Sequence, residues 1–132
     1  MNKIDTLIAY LFAIQAFAKD IHYSASGEAF YSKHLLADEI YKGIDEQIDA
    51  LIETCILPYN TPMQIDQYWE CARGIIPSAI DFRNLKGLLK DAITMIDSQE
   101  RIRTAGEKSL LDSIAQDLQR KLGLITRQVG NG

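Results

Sequence analysis

Apolar residues recur along this chain at intervals of three and four, and this spacing constrains the fold more than any other feature of the sequence. Such intervals place side chains on one face of an α-helix, and no useful stretch alternates apolar and polar residues as a strand would. The three prolines, Pro58, Pro62 and Pro77, all fall between the helical segments. The sequence therefore predicts an all-α fold.

Four main helices and one short helix account for the pattern. We expect helix A over about 4–21, helix B over about 28–54, a short helix over about 62–75, helix C from about 80 to 103, and helix D from Thr104 to about 125. Thr61-Pro62 with Gln64, and Thr104 with Glu107, have the spacing of capping boxes. The economical arrangement is a four-helix bundle with the short helix between B and C.

Size and charge limit the functional classes. A chain of 132 residues suits one domain, covering 1–132. The formal net charge of -4 gives no electrostatic basis for tight binding to nucleic-acid phosphates. Cys55 and Cys71 form no CxxC pair, and the apolar opening is interrupted by Gln15, Lys19 and Asp20. We therefore expect a soluble, cytoplasmic protein without a membrane anchor.

Potential metal ligands concentrate between residues 21 and 53. Both histidines of the chain, His22 and His34, lie in this window, six residues either side of Glu28. If the chain reverses around Gly27, the two imidazoles come level on adjacent antiparallel helices. This spacing predicts that the histidines approach one site.

Two pairs of potential ligands on helix B extend the candidate site. His34 and Asp38 are four residues apart and share a helix face, and so do Asp49 and Glu53. On a straight helix, His34 and Asp49 are separated by roughly 22 Å, so one chain cannot bring both pairs to one ion. Two copies related by a two-fold axis, with antiparallel B helices, would join the pairs. The helices would then cross near Gly43, where a glycine permits close backbone approach.

The chemistry of these five residues favours a particular group of metals. Imidazole and carboxylate ligands without thiolate suit iron, manganese or zinc. A carboxylate-rich set with open coordination positions favours redox-active iron over a closed structural zinc site. The predicted metal ligands are His22, His34, Asp38, Asp49 and Glu53.

The window resembles the Dps family, small relatives of ferritin that assemble as dodecamers. The family has a ligand histidine, a second histidine twelve residues later, an aspartate four further on, and then an aspartate and a glutamate on the same helix. The five predicted ligands have these spacings, with Gly27 and Phe30 also matching between the histidines. The segment 104–125 is similar to the last helix of the family. The resemblance implies a ferritin-like four-helix bundle.

It also implies a function. His22, His34 and Asp38 of one chain, with Asp49 and Glu53 of its two-fold mate, would bind ferrous iron as a mononuclear or dinuclear centre. Peroxide or dioxygen would oxidise the iron, and a hollow shell would store the ferric product, protecting against oxidative damage. Tyr23 stands where the family usually has tryptophan, and the basic tail of its DNA-binding members is absent. DNA binding is therefore doubtful.

Two other interpretations stay open. A non-catalytic helical assembly or scaffold could retain the fold, with its acidic face serving solubility or partner contact. A closed zinc site built by two chains could lock the dimer without iron turnover. Asp45, on nearly the same face as the ligands, and Glu107 and Asp112, at the start of helix D, are more simply explained as solvated or helix-stabilising charges.

Overall fold

The helical elements are seen in a computed structural model, which describes residues 2–98 and 104–129. In chain order they are α1 (Lys3–Ser24), α2 (Phe30–Tyr41), α3 (Ile44–Leu51), a π-helical turn (Ile52–Ile56), α4 (Ile65–Ile75), α5 (Phe82–Asp97) and α6 (Ala105–Val129). The described residues contain no strand. The predicted all-α class is confirmed.

Helix α1 lies at the centre of the molecule. The Asn2 side chain caps its start by accepting the Asp5 amide at 2.8 Å. Its apolar residues are buried on nearly every side from Ile4 to Ile21, because α1 packs against α2, α3, α4 and α5. Helix α6 packs against α5, α2 and α3. A single hydrophobic core links all of these helices.

The prediction of one continuous helix B is wrong, because the chain bends between α2 and α3. Lys42 has φ -61° and ψ 131°, and Gly43 has φ 81° and ψ -5°. These are the dihedral angles of the two central residues of a type II turn, whose second position needs a positive φ and therefore favours glycine. The conformation of Gly43 thus has a local explanation within one chain.

A buried network from α6 holds this bend. The Lys121 side chain is fully buried, and its Nζ donates to the Lys42 carbonyl oxygen at 2.7 Å. The same Nζ lies 2.9 Å from Asp117 Oδ2, which also accepts from Gln47 Nε2 at 2.8 Å. Arg120 adds ion pairs to Glu39 on α2, at 3.0 Å, and to Asp117, at 3.3 Å. Helix α6 therefore contacts both sides of the bend.

The other helix boundaries agree better with the sequence. The Thr104 hydroxyl accepts the Glu107 amide at 3.3 Å, which confirms the predicted cap before α6. The short helix exists, but it begins at Ile65 rather than at Pro62, with Gln67 Oε1 accepting the Gln64 amide at 3.0 Å. The predicted end of helix C, near residue 103, lies outside the described residues.

Helix α4 docks on α1 through aromatic contacts. The Phe12 ring lies 4.8 Å from Trp69 and 6.0 Å from Tyr68, between centroids. The Tyr68 hydroxyl donates to Asp5 Oδ1 at 2.6 Å inside the core. Both aromatic residues therefore pack over the helical core.

Across the described ranges, no helix combines the length and the apolar character that crossing a membrane requires.

Candidate metal centre

The loop between α1 and α2 reverses the chain and sets the position of both histidines. Gly27 (φ 74°) and Ala29 (φ 59°) both adopt left-handed conformations in this loop. Glycine tolerates such a conformation readily, whereas alanine adopts it only at a cost in strain. The reversal places α1 and α2 side by side, with His22 in the last turn of α1 and His34 in α2.

The predicted approach of the two histidines is confirmed. Their imidazole rings stack with centroids 3.5 Å apart and planes inclined by 22°. His22 Nδ1 lies 2.8 Å from the backbone oxygen of His34, and His34 Nδ1 lies 2.8 Å from the backbone oxygen of His22. The two hydrogen bonds are reciprocal and join the two helices. Both side chains are half-buried.

These hydrogen bonds determine which ring nitrogen carries the proton. A carbonyl oxygen can only accept, so each Nδ1 must be the donor. In the neutral imidazole, Nε2 is then the nitrogen with a free lone pair, which is the form that binds a metal ion. In this form each histidine presents Nε2 as its free ring acceptor.

The stacking geometry limits how the two rings can share metal. A metal–imidazole bond lies close to the ring plane and is about 2.0–2.1 Å long for an ion such as zinc. Planes inclined by only 22° do not meet within that distance of rings stacked 3.5 Å apart. The two Nε2 atoms as arranged therefore cannot bind the same ion.

Asp38 lies one turn beyond His34 on α2 and close to Tyr41, a residue that the sequence analysis did not include. A hydrogen bond from the Tyr41 hydroxyl to Asp38, together with burial and the charge of Asp38, raises the pKa of Tyr41 to about 12. The Tyr41 ring meets His22 edge-on, with centroids 5.5 Å apart. Its spacing, seven residues after His34 and three after Asp38, places it on the same helix face and could have identified it.

Aromatic side chains flank the histidine pair. Tyr23 contacts His22 at 5.3 Å and Phe30 contacts His34 at 5.4 Å, between centroids. Tyr23, Phe30 and the neighbouring Tyr31 are exposed. Lys19 Nζ lies 5.4 Å from the centre of the Tyr41 ring. The histidines therefore lie beside an exposed aromatic surface.

The remaining two predicted ligands lie on the other side of the bend. Asp49 is on α3 and Glu53 is in the π-helical turn, and both are exposed. Within residues 2–98 and 104–129 of this single chain, no three side chains of the His, Cys, Asp or Glu types converge as a metal site. The structure thus brings His22 and His34 together and leaves Asp49 and Glu53 facing solvent.

Other acidic residues have contacts within the chain. Asp45 Oδ1 accepts from Gln15 Nε2 at 2.6 Å, which ties α3 to α1. Glu107 is buried and accepts a hydrogen bond from the Tyr59 hydroxyl. Asp112 is exposed on α6. These contacts give none of the three residues a place in the candidate metal centre.

Comparison with known proteins adds no family to this description. No family model matches the chain, and neither a curated protein nor a solved structure matches it.

Proposed function

We propose that this protein is a ferroxidase of the Dps-like, ferritin-fold kind. Two chains related by a two-fold axis would bind ferrous iron as the substrate, with His22, His34 and Asp38 from one chain and Asp49 and Glu53 from the other. Peroxide or dioxygen would oxidise the iron, and a cytoplasmic shell, dodecameric by resemblance, would hold the ferric product.

The observation that carries this proposal is the reciprocal pair of histidine hydrogen bonds. Each Nδ1 is held by a backbone carbonyl 2.8 Å away, which leaves both Nε2 lone pairs available. The stacked rings would serve two ions, which favours a dinuclear centre over a mononuclear one.

The helix contacts also support the proposal. Helix α1 pairs with α2, α5 pairs with α6, and α1 packs on α5, while α4 follows the first pair in sequence and precedes the second. One long connection between two helix pairs is the connectivity of ferritin-like bundles. The exposure of Asp49 and Glu53 leaves both carboxylates available to a second copy.

The chemistry needed from the chain is limited to binding and orientation. Two imidazoles and carboxylates would hold ferrous iron with coordination positions open for the oxidant. The Tyr41 hydroxyl, hydrogen-bonded to Asp38, would restrict the orientation of that carboxylate. The electrons pass from ferrous iron to the peroxide or dioxygen.

The proposal is tested by adding ferrous iron anaerobically, then peroxide, and recording ferric absorbance together with the mass of the assembly. We expect rapid oxidation in the wild type, and a loss of about tenfold or more in His34→Ala and in Asp49→Asn. Glu46→Gln, which changes an exposed acid on the same helix as Asp49, is the matched control and should oxidise iron normally.

Co-expression of the two inactive variants tests whether two chains share each site. A mixed dimer of His34→Ala with Asp49→Asn contains one site in which both halves are intact, so about a quarter of all sites should recover in a random mixture. Equal slow oxidation in the wild type and the variants would indicate a scaffold instead. Stability that depends on zinc, without iron turnover, would indicate a closed zinc site.

A further inference from the structure

The buried face of α2 continues across the bend into α3 without a change of spacing. Six residues at intervals of three or four, all 0–7 % exposed, form this face: Ala37, Ile40, Ile44, Ile48, Leu51 and Cys55. This is the spacing of one continuous helix. The apolar spacing of this segment is therefore compatible with an uninterrupted helix, and it does not by itself encode the bend.

Two features hold the bend. Gly43 supplies the positive φ, although a Cβ built at this position meets no described atom within 4 Å. Lys121 supplies a buried ammonium to the Lys42 carbonyl at 2.7 Å. In a continuous helix that carbonyl would accept the amide of residue 46, four positions later. The bend therefore exchanges a helical hydrogen bond for one from α6.

The network around Lys121 is not fully satisfied. Gln47 directs its Nε2 to Asp117, and among the described residues its buried Oε1 has no hydrogen-bond partner. Buried polar atoms in folded proteins are nearly always paired, so an orphaned acceptor beside the bend calls for an explanation. The network therefore leaves one buried acceptor beside the bend without a partner among the described residues.

We propose that Lys121 is the latch of a two-position hinge at Lys42–Gly43. With the ammonium on the Lys42 carbonyl, α2 and α3 are bent; when the latch is released, they join into one helix. The hinge lies between His34 and Asp38 on one side and Asp49 and Glu53 on the other, so its position sets the separation of the two half-sites. This last consequence rests on the proposed function, in which those half-sites meet between antiparallel copies.

Amide hydrogen exchange in the metal-free protein reports the hinge directly. Residues 44–46 are the first positions of α3 in the bent form, where amides have no partner four residues back, whereas a continuous helix protects them. Lys121→Met removes the ammonium and keeps an apolar chain of similar length. We expect exchange at 44–46 to slow by about tenfold or more in this variant.

Arg120→Met is the matched control. Arg120 is adjacent to Lys121 and pairs with Asp117 and Glu39, but it does not bond to the turn. Exchange at 44–46 should be unchanged in the control. Unchanged or faster exchange in a folded Lys121→Met protein overturns the latch.

Gly43→Ala provides a second, independent test of the hinge, which is needed if Lys121→Met does not fold. Alanine disfavours the positive φ of the bend and favours a helix. Slower exchange at 44–46 is expected. A folded Gly43→Ala protein in which these amides exchange as in the wild type overturns the hinge.

Titration with Co²⁺ separates the hinge from the metal site. In the straight form, the two half-sites of each chain would be separated by the distance that antiparallel pairing of two copies requires. We therefore expect Lys121→Met to bind Co²⁺ about tenfold more tightly than Arg120→Met. If amide exchange slows while affinity stays equal or falls, the coupling of hinge to site is wrong. If neither variant nor the wild type binds Co²⁺, the proposed function fails, and the exchange result on the hinge still stands.

Discussion

Tyr41 contacts both a carboxylate and a histidine of the candidate metal centre. Its hydroxyl is hydrogen-bonded to Asp38, and its ring lies against His22. A negatively charged acceptor disfavours loss of the phenolic proton, because the product would be a second anion beside the first. The ionisation of Tyr41 is therefore a direct probe of the position of Asp38.

Asp38→Asn should lower the pKa of Tyr41 from about 12 toward the ordinary tyrosine value. The amide still accepts a hydrogen bond but carries no charge, so tyrosinate becomes easier to form. Tyrosine-labelled NMR resolves the six tyrosines during a titration. Asp91→Asn is the control, because the charge of Asp91 acts on Tyr10. A Tyr41 that titrates unchanged in Asp38→Asn would show that the carboxylate lies elsewhere.

At the scale of the elements, a buried hydrogen bond joins α4 to α1 alongside their aromatic contacts. The Tyr68 hydroxyl donates to Asp5 at 2.6 Å, and both side chains are buried. Burial raises the pKa of Tyr68 well above its ordinary value, and the hydrogen bond to Asp5 adds to this effect. The Asp5 carboxylate is accommodated inside the core because the Tyr68 hydroxyl, from another helix, donates a hydrogen bond to it.

Tyr68→Phe should therefore reduce the free energy of unfolding by about 1–3 kcal/mol, because Asp5 loses its donor while remaining buried. Urea unfolding measures this change. Tyr23→Phe removes a hydroxyl from an exposed ring and should leave stability within about 0.5 kcal/mol of the wild type. Equal stability of the two variants would mean that α4 is held by its aromatic contacts alone.

The helices themselves were largely predictable from sequence, whereas the bend was not. The apolar spacing of α1, α5 and α6 reports their buried faces, and the spacing of His22 and His34 about Gly27 predicts their approach. Across Lys42–Gly43 the same spacing continues unbroken, so it carries no information about the turn. The stabilising contact comes from Lys121, 79 positions later in the chain. Local patterns do not encode such a partner.

The start of α4 was missed for a similar reason. Thr61 and Pro62 have the composition of a helix start, but the helix begins only at Ile65, and Gln67 Oε1 accepts the Gln64 amide just before it. Thr61 and Gln64 are two possible N-caps three residues apart, and the local hydrogen bonds that they offer to a helix are similar. Docking of Tyr68 and Trp69 on Phe12 then fixes where α4 lies.

On the scale of the whole molecule, Asp117 links α6 to the bend and should make stability depend on pH. Burial alone would raise the pKa of Asp117, but hydrogen bonds from Lys121 and Gln47 outweigh it and lower the pKa. A carboxyl whose pKa is lower in the folded chain than in the unfolded chain stabilises the fold above its unfolded pKa. That stability is lost as the pH falls through the folded value.

Asp117→Asn should therefore be less stable than the wild type at neutral pH, by about 1 kcal/mol or more, with the difference narrowing below about pH 4. Denaturant unfolding across this pH range measures it. Asp66→Asn, which changes an exposed acid of α4, is the control for nonspecific charge effects. A difference that stays constant down to about pH 3 would contradict a charge-based role for Asp117.

The histidine pair also determines how freely the centre can be redesigned. Each imidazole donates to the backbone oxygen of the other position, not to its side chain. A backbone oxygen remains whichever residue replaces the histidine that carries it. Either position can therefore be substituted by cysteine or an acidic residue while the imidazole at the other position keeps its hydrogen bond to the backbone.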